Sequence, residues 1–223
     1  MGISFIDDLF LPYADIILQG VGMTMVLSFK AIVAGSILAL VVAWLRTQGP
    51  AVLQSLAQSY VELIRNTPLL VQLLIVFFGL PSIGIRLSAP DAAFIALTVN
   101  LSGYVAEILR AGIESIHRSQ IEAGLALGMR ERQIFRHVVL MPALKAIYPA
   151  LSSQFILLML MTSIVSTIGV DELFHQAVFV ESRTFQSFEV YTGITLAYLV
   201  LTIALRAVFR AIYWLAFERR SST

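Results

Sequence analysis

The sequence predicts an all-α, polytopic membrane protein with about five transmembrane helices, and three observations carry that expectation. Hydrophobic residues make up 58% of the 223 positions and charged residues only 13%, a balance outside the range of soluble domains. The apolar residues fall in blocks long enough to cross a bilayer core of about 30 Å, which takes about 20 helical residues. No polar linker separates these blocks, so residues 1–223 read as one transmembrane domain. Helices are expected because a helix satisfies every backbone donor and acceptor within its own segment.

The elements follow in chain order. The segment through Asp15 carries Asp7, Asp8 and Asp15 but no Lys or Arg, so it lacks the basic start of a secretory signal and is expected to be retained. Spans are expected at about 20–45, 52–80, 92–112, 146–170 and 191–217. Pro68 falls inside the second, where its missing N–H frees a carbonyl and allows a kink. Glu62 with Arg65, and Glu107 with Arg110, are spaced to pair along a helix face and lower the cost of charge near a membrane helix end. Neither a short internal repeat nor inverted similarity between the halves is found.

An odd number of spans places the termini on opposite sides. With the C-terminus in the cytoplasm, Arg46, Arg110, Arg118, Arg130, Arg132, Arg136, Lys145, Arg206, Arg210, Arg219 and Arg220 lie on or near that side. Only Arg86 and Arg183 then fall outside, where the segments hold Asp7, Asp8, Asp15, Asp91, Asp171, Glu172, Glu181 and Glu189. This asymmetry is the positive-inside pattern, with the N-terminus outside and the C-terminus cytoplasmic.

The connection at about 113–145 is too long for a turn between neighbouring spans. It contains SQIEAGLALG from Ser119 to Gly128. Ser119 and Glu122 have the spacing of a capping box, which predicts a helix start. Gly128 supplies a left-handed position after about two turns. Ile121, Leu125 and Leu127 offer apolar contacts, and so short a helix is marginal in water unless it packs against something.

Here the chain resembles the transmembrane permease subunits of ABC importers, whose loops carry an "EAA" pattern. Glu122, Ala123, Gly128, Leu140 and Pro142 match it. Gly124 replaces the second Ala, and Ser119 stands where the family often has Gly. The blocks YVELIRNTPLLVQ from Tyr60 to Gln72, Gly79 to Pro81, YVAEILRAGI from Tyr104 to Ile113, Gly22 to Thr24 and Thr162-Ser163 are similar to polar-amino-acid permeases. The resemblance covers about 20–218. It implies an importer-type permease architecture in a bacterial inner membrane, with Ser119, Glu122, Ala123, Gly128 and Pro142 in an ATPase-coupling segment. The implied partners are a second, identical or related permease subunit, two ATP-binding subunits that hold the ATP and magnesium, and an extracytoplasmic substrate-binding protein; beyond these the chain meets membrane lipid and no nucleic acid.

The chain's own chemistry is sparse. Its only lysines, Lys30 and Lys145, follow no Gly-x-x-x-x-Gly frame, so no P-loop is present. With no cysteine, and with His117, His137 and His175 far apart, neither a thiol nucleophile nor a metal motif is expected. No catalytic residue is expected, and no cofactor in this chain. Polar residues at membrane depth are the default path candidates because lipid strands them at a cost: Asn100, Ser102 and Tyr104 in the third span, Thr162, Ser163 and Ser166 in the fourth. Bonding between helices without ligand contact is an equal reading for each. Lys30 is open to snorkelling, pairing with an acid, or meeting a substrate carboxylate. Many relatives carry Lys-Asp where this chain has Leu160 and Met161, so either the substrate differs or a second permease supplies that contact. The competing class is a secondary transporter driven by an ion gradient, which calls for coupling acids at membrane depth; here the acids sit mostly near span ends.

Overall fold

The computed structural model describes residues 11–218, so Asp7, Asp8, Arg219 and Arg220 of the charge pattern lie outside the described residues. Helix α1 runs Ala14–Gln48 after a single 3₁₀ turn at Leu11–Tyr13. It ends where the Gly49 N–H donates to the Leu45 carbonyl and Pro50 follows.

The second apolar stretch is not one kinked helix. It breaks into α2 (Ala51–Arg65) and α3 (Leu69–Ser82), whose axes differ by 107°. Asn66 leaves the helix at φ −100°, ψ 6°, and Pro68 is extended at ψ 139°. The physical reason is local: Pro68 cannot continue a helix, and it biases Thr67 away from helical geometry. Helix α3 passes through π-helical turns at Ile75–Gly79.

Helix α4 (Ala89–Glu114) begins with Ser88, whose hydroxyl accepts from the Asp91 N–H. Helix α5 (Arg118–Ala126) is short. Helix α6 then runs Glu131–Ile168, so the expected loop at 113–145 is largely helical and the helix that carries the expected fourth span begins well before 146. Pro142 sits just past the π-helical turns Phe135–Leu140. A widened turn relieves the clash that a proline ring makes with the preceding turn. The helix closes in 3₁₀ geometry at Thr162–Ile168 and stops at the left-handed Gly169. A further helix, α7 (Leu173–Thr184), lies between the expected fourth and fifth spans, and α8 (Ser187–Glu218) completes the fold.

Four helices, α1, α4, α6 and α8, are each long and apolar enough to cross a membrane, and the bent α2–α3 pair makes a fifth if it counts as one span. The core centres on α4, which packs against α1, α2, α3 and α6. Over its most apolar stretch 56% is buried, against 6% in α8. That contrast makes α4 the axis of the subunit and leaves α8 largely uncovered by it. Leu97 and Leu101 of α4, Leu73 of α3 and Leu158 of α6 are fully buried there. Helix α7 closes a second cluster, in which Leu173, Ala177 and Val180 pack with Val190 and Ile194 of α8.

Candidate functional site

The matched segment forms a protruding helix. The N-cap of α5 is His117, whose Nδ1 accepts from the Ser119 N–H at 3.3 Å and shares a 2.7 Å hydrogen bond with the Ser119 hydroxyl. The expected Ser119–Glu122 capping box is therefore corrected. The helix starts at Arg118, so Ser119 lies inside the first turn and Glu122 cannot reach back to the cap. Both are exposed, as are Ala123 and Pro142.

The far end follows the sequence reading. Gly128 sits at φ +71°, where a side chain would meet its own backbone. The Gly128 N–H donates to the Leu125 carbonyl at 2.9 Å and the Met129 N–H to the Gly124 carbonyl at 3.1 Å, the paired bonds of a Schellman motif. Gly124 is the buried residue of α5. A Cβ there would stand 3.1 Å from Ile134 Cγ1, so the glycine in place of the second alanine lets α5 lie close on the start of α6. The apolar residues turn away from that contact: Leu125 is 54% exposed and Leu127 81%.

At the break between α2 and α3, sequence reasoning missed the organising residue. Gln72 Nε2 donates to the Ile64 carbonyl at 2.9 Å and to Thr67 Oγ1 at 2.8 Å. Its Oε1 accepts from Asn100 Nδ2 at 3.0 Å. One amide thus takes up a carbonyl freed at the end of α2 and fastens the elbow to α4. No periodicity marks such a residue; a lone Gln in an apolar run was the available signal.

The path candidates do not converge on one point. Ser102 meets the Tyr60 hydroxyl at 2.6 Å, and Tyr104 donates to the Arg65 carbonyl at 3.4 Å. With Asn100, these residues clasp α4 to the α2–α3 pair. Thr162, Ser163 and Ser166 donate to the carbonyls of Met159, Leu160 and Ser163, a local bonding pattern common for hydroxyls in helices. Asn100 Oδ1 is buried with no partner among the described residues, which leaves an acceptor open.

Charge gathers at one end of the bundle. Glu107 Oε2 accepts from Arg46 Nη1 at 2.7 Å and lies 3.8 Å from Arg65 Nη1, while Oε1 pairs with Arg110. Arg110 also binds Glu114. The expected Glu107–Arg110 pair is present. The Glu62–Arg65 pair is not: Glu62 accepts from Gln58, and Arg65 turns to Glu107 and the Tyr104 ring. These groups line a cleft of about 730 Å³ with Gln54 and Gln58 of α2.

Glu172, placed by the sequence among external acids, is fully buried. Its carboxylate accepts from the backbone N–H groups of Phe174 and His175 and from the Tyr198 hydroxyl at 2.8 Å. Burial raises its pKa and outweighs these donors, which pull it down. Lys30 is exposed on α1 and makes no ion pair among the described residues. Among those residues no group of three or more His, Cys, Asp or Glu is placed to hold a metal.

Residues 31–221 match the family model described as binding-protein-dependent transport system inner membrane component. The chain is 38% identical over 205 residues to a probable glutamine ABC transporter permease protein of Bacillus subtilis, covering 92% of this chain and 93% of that protein. It is 32% identical over 201 residues to the glutamine transport system permease protein of Escherichia coli, covering 89% and 92%. A chain from a crystal structure of an amino acid ABC transporter with histidines has a TM-score of 0.86 at 36% identity, covering 96% of this chain and 99% of that one. A chain of the MetNI methionine ABC transporter in an inward-facing conformation shares the fold, with a TM-score of 0.73 at 21% identity over 91% and 97%.

Proposed function

Since the chain belongs to the family of binding-protein-dependent transport system inner membrane components, as a multi-pass permease subunit of an ABC importer, we propose that it carries a polar amino acid inward and takes its energy through α5. The observation that carries this reading is the pair of bare leucines at the C-terminal end of α5. Leu125, in the last turn of this helix of 9 residues, and Leu127, its C-cap, are both exposed, and so short a helix is marginal in water by itself. A groove on an ATP-hydrolysing subunit gives these side chains a partner. Ser119, Glu122 and Ala123 lie on the docking helix, Gly128 sets its angle, and Pro142 lies further along α6, whose start α5 adjoins.

The full assembly is two permease subunits around one path, two ATP-binding subunits holding ATP and magnesium, and an extracytoplasmic binding protein. The N-terminus faces out and the C-terminus faces the cytoplasm, so the charged cleft and α5 share the inner side. Asn100, with its open acceptor, is the first path residue to test, ahead of Ser102, Tyr104, Thr162, Ser163 and Ser166. The amino-acid substrate rests on the relatives, two of which are named for glutamine.

Reconstitution tests this. The complex in proteoliposomes, with its binding protein outside and ATP on the ATPase side, takes up a labelled amino acid only when ATP is hydrolysed. Uptake driven by an ion gradient without ATP overturns the reading, and uptake of only sugars, metals or phosphate overturns the substrate class.

A further inference from the structure

The carboxylate of Glu107 holds three helices at once. Its Oε2 faces Arg46, in the last turn of α1, and Arg65, the last residue of α2; its Oε1 faces Arg110, one turn further along α4. Arg110 continues the chain of charges to Glu114, the last residue of α4. Only Ser115–His117 then separate Glu114 from α5. On the other side, Arg65 is joined directly to Asn66, Thr67 and Pro68, where the chain turns by 107° into α3. One carboxylate is therefore linked directly to Arg65 at the elbow fastened by Gln72 and, through Arg110, to Glu114 at the stem of α5.

A static staple does not need this chemistry. Apolar side chains of similar volume hold helices together at lower desolvation cost than ion pairs. The Arg46, Glu107 and Arg65 side chains are 13%, 21% and 42% exposed, and they border a polar cleft of about 730 Å³. The structure shows the pairs closed on one another, and the cleft beside them leaves room for water to solvate the charges in an open arrangement. A discrete two-state element in contact with both regions is the physical requirement for coupling them.

We propose that Glu107 is a coupling residue, the hub of an inner latch that closes the ends of α1, α2 and α4 and is released when α5 moves. This rests on the proposed assignment of α5 to an ATPase subunit. Movement of α5 is transmitted along Glu114 and Arg110 to Glu107; release of Arg46 and Arg65 frees the elbow and opens the cleft. In the closed state the latch restrains α5, so hydrolysis without substrate is low.

The test uses the intact complex with its binding protein in proteoliposomes, and reads basal hydrolysis, stimulated hydrolysis and uptake per ATP. Glu107→Gln is expected to raise basal hydrolysis and lower uptake per ATP, each by about fivefold or more. Arg46→Gln shifts both in the same direction, and the double variant is no worse than the stronger single one, because both substitutions open one contact. Glu107→Asp keeps the charge and recovers part of the ratio. If Glu107→Gln does not assemble, Arg46→Gln decides alone. Unchanged ratios in the variants, or uptake and hydrolysis falling in equal proportion, overturn the latch. A wild-type complex without ATP-driven uptake instead overturns the functional reading beneath it.

Discussion

Helices α4 and α5 are separated by three residues and treat their side chains in opposite ways. In α4 polar groups are drawn inward and paired: Asn100 with Gln72, Ser102 with Tyr60, Glu107 with Arg46 and Arg110. In α5 Gly124 is buried, while Leu125 and the C-cap Leu127 are bare. Under the proposed function that bare pair is the recognition surface: α4 pairs its polar groups within the subunit, and α5 finds its contact outside it.

The sharpest way to break that contrast is to change the bare pair. Leu125→Glu combined with Leu127→Glu is expected to reduce ATP-driven uptake by about tenfold or more, as loss of a buried apolar anchor does at an interface. Expression and thermal stability of the isolated subunit should stay at wild-type levels. A fall in stability that matches the loss of transport places those leucines in the subunit's own core and ends the distinction.

Next in size is Gly128→Val, which forces a β-branched side chain to φ +71° at a cost of about 1–3 kcal/mol. Membrane insertion and the binding protein's ligand affinity are expected to be unchanged, with substrate-stimulated hydrolysis reduced several-fold. Stimulation equal to wild type at equal expression removes the need for this turn.

On the α4 side, Gln72→Leu leaves the Ile64 carbonyl and the Asn100 amide without their partner. A buried polar group stranded in this way costs about 1–3 kcal/mol. Thermal unfolding in detergent should show a midpoint several degrees lower, while the α5 cross-links to an ATPase subunit persist. An unchanged midpoint means the elbow is held by apolar packing alone.

The smallest effect concerns the start of α5. Because His117 caps the helix, Ser119→Ala should alter stability and transport little, within about 0.5 kcal/mol. His117→Ala should cost about 0.5–2 kcal/mol of local helix stability. Hydrogen exchange of the α5 amides distinguishes the two, and the reverse order restores Ser119 as the cap.

What the sequence revealed follows from which interactions are local. The apolar blocks and Gly128 announce themselves because span length and positive φ depend on a residue and its immediate neighbours. Pro68 is visible as a local disturbance, but the contact that fastens the resulting break to α4, Gln72 with Asn100, comes together across 28 residues. Glu172 read as an outer acid because its partner Tyr198 is 26 residues away. The capping box at Ser119 failed by a shift of two residues, since a histidine nitrogen supplied the acceptor that the motif assigns to a hydroxyl. The path candidates are buried or half-buried, but their depth in the sequence carried no information on which helix each would face.

If α5 is the surface this subunit offers to an ATP-hydrolysing partner, as proposed, the absence of cysteine in the chain makes a direct measurement available. Leu125→Cys provides a single attachment point for a photoactivatable cross-linker, and Leu199→Cys midway along α8, 51% exposed, provides the control. In the assembled, ATP-hydrolysing complex, Leu125→Cys is expected to cross-link to the ATPase subunit and Leu199→Cys is not. No cross-link from Leu125→Cys, or equal yields from both positions, contradicts the account.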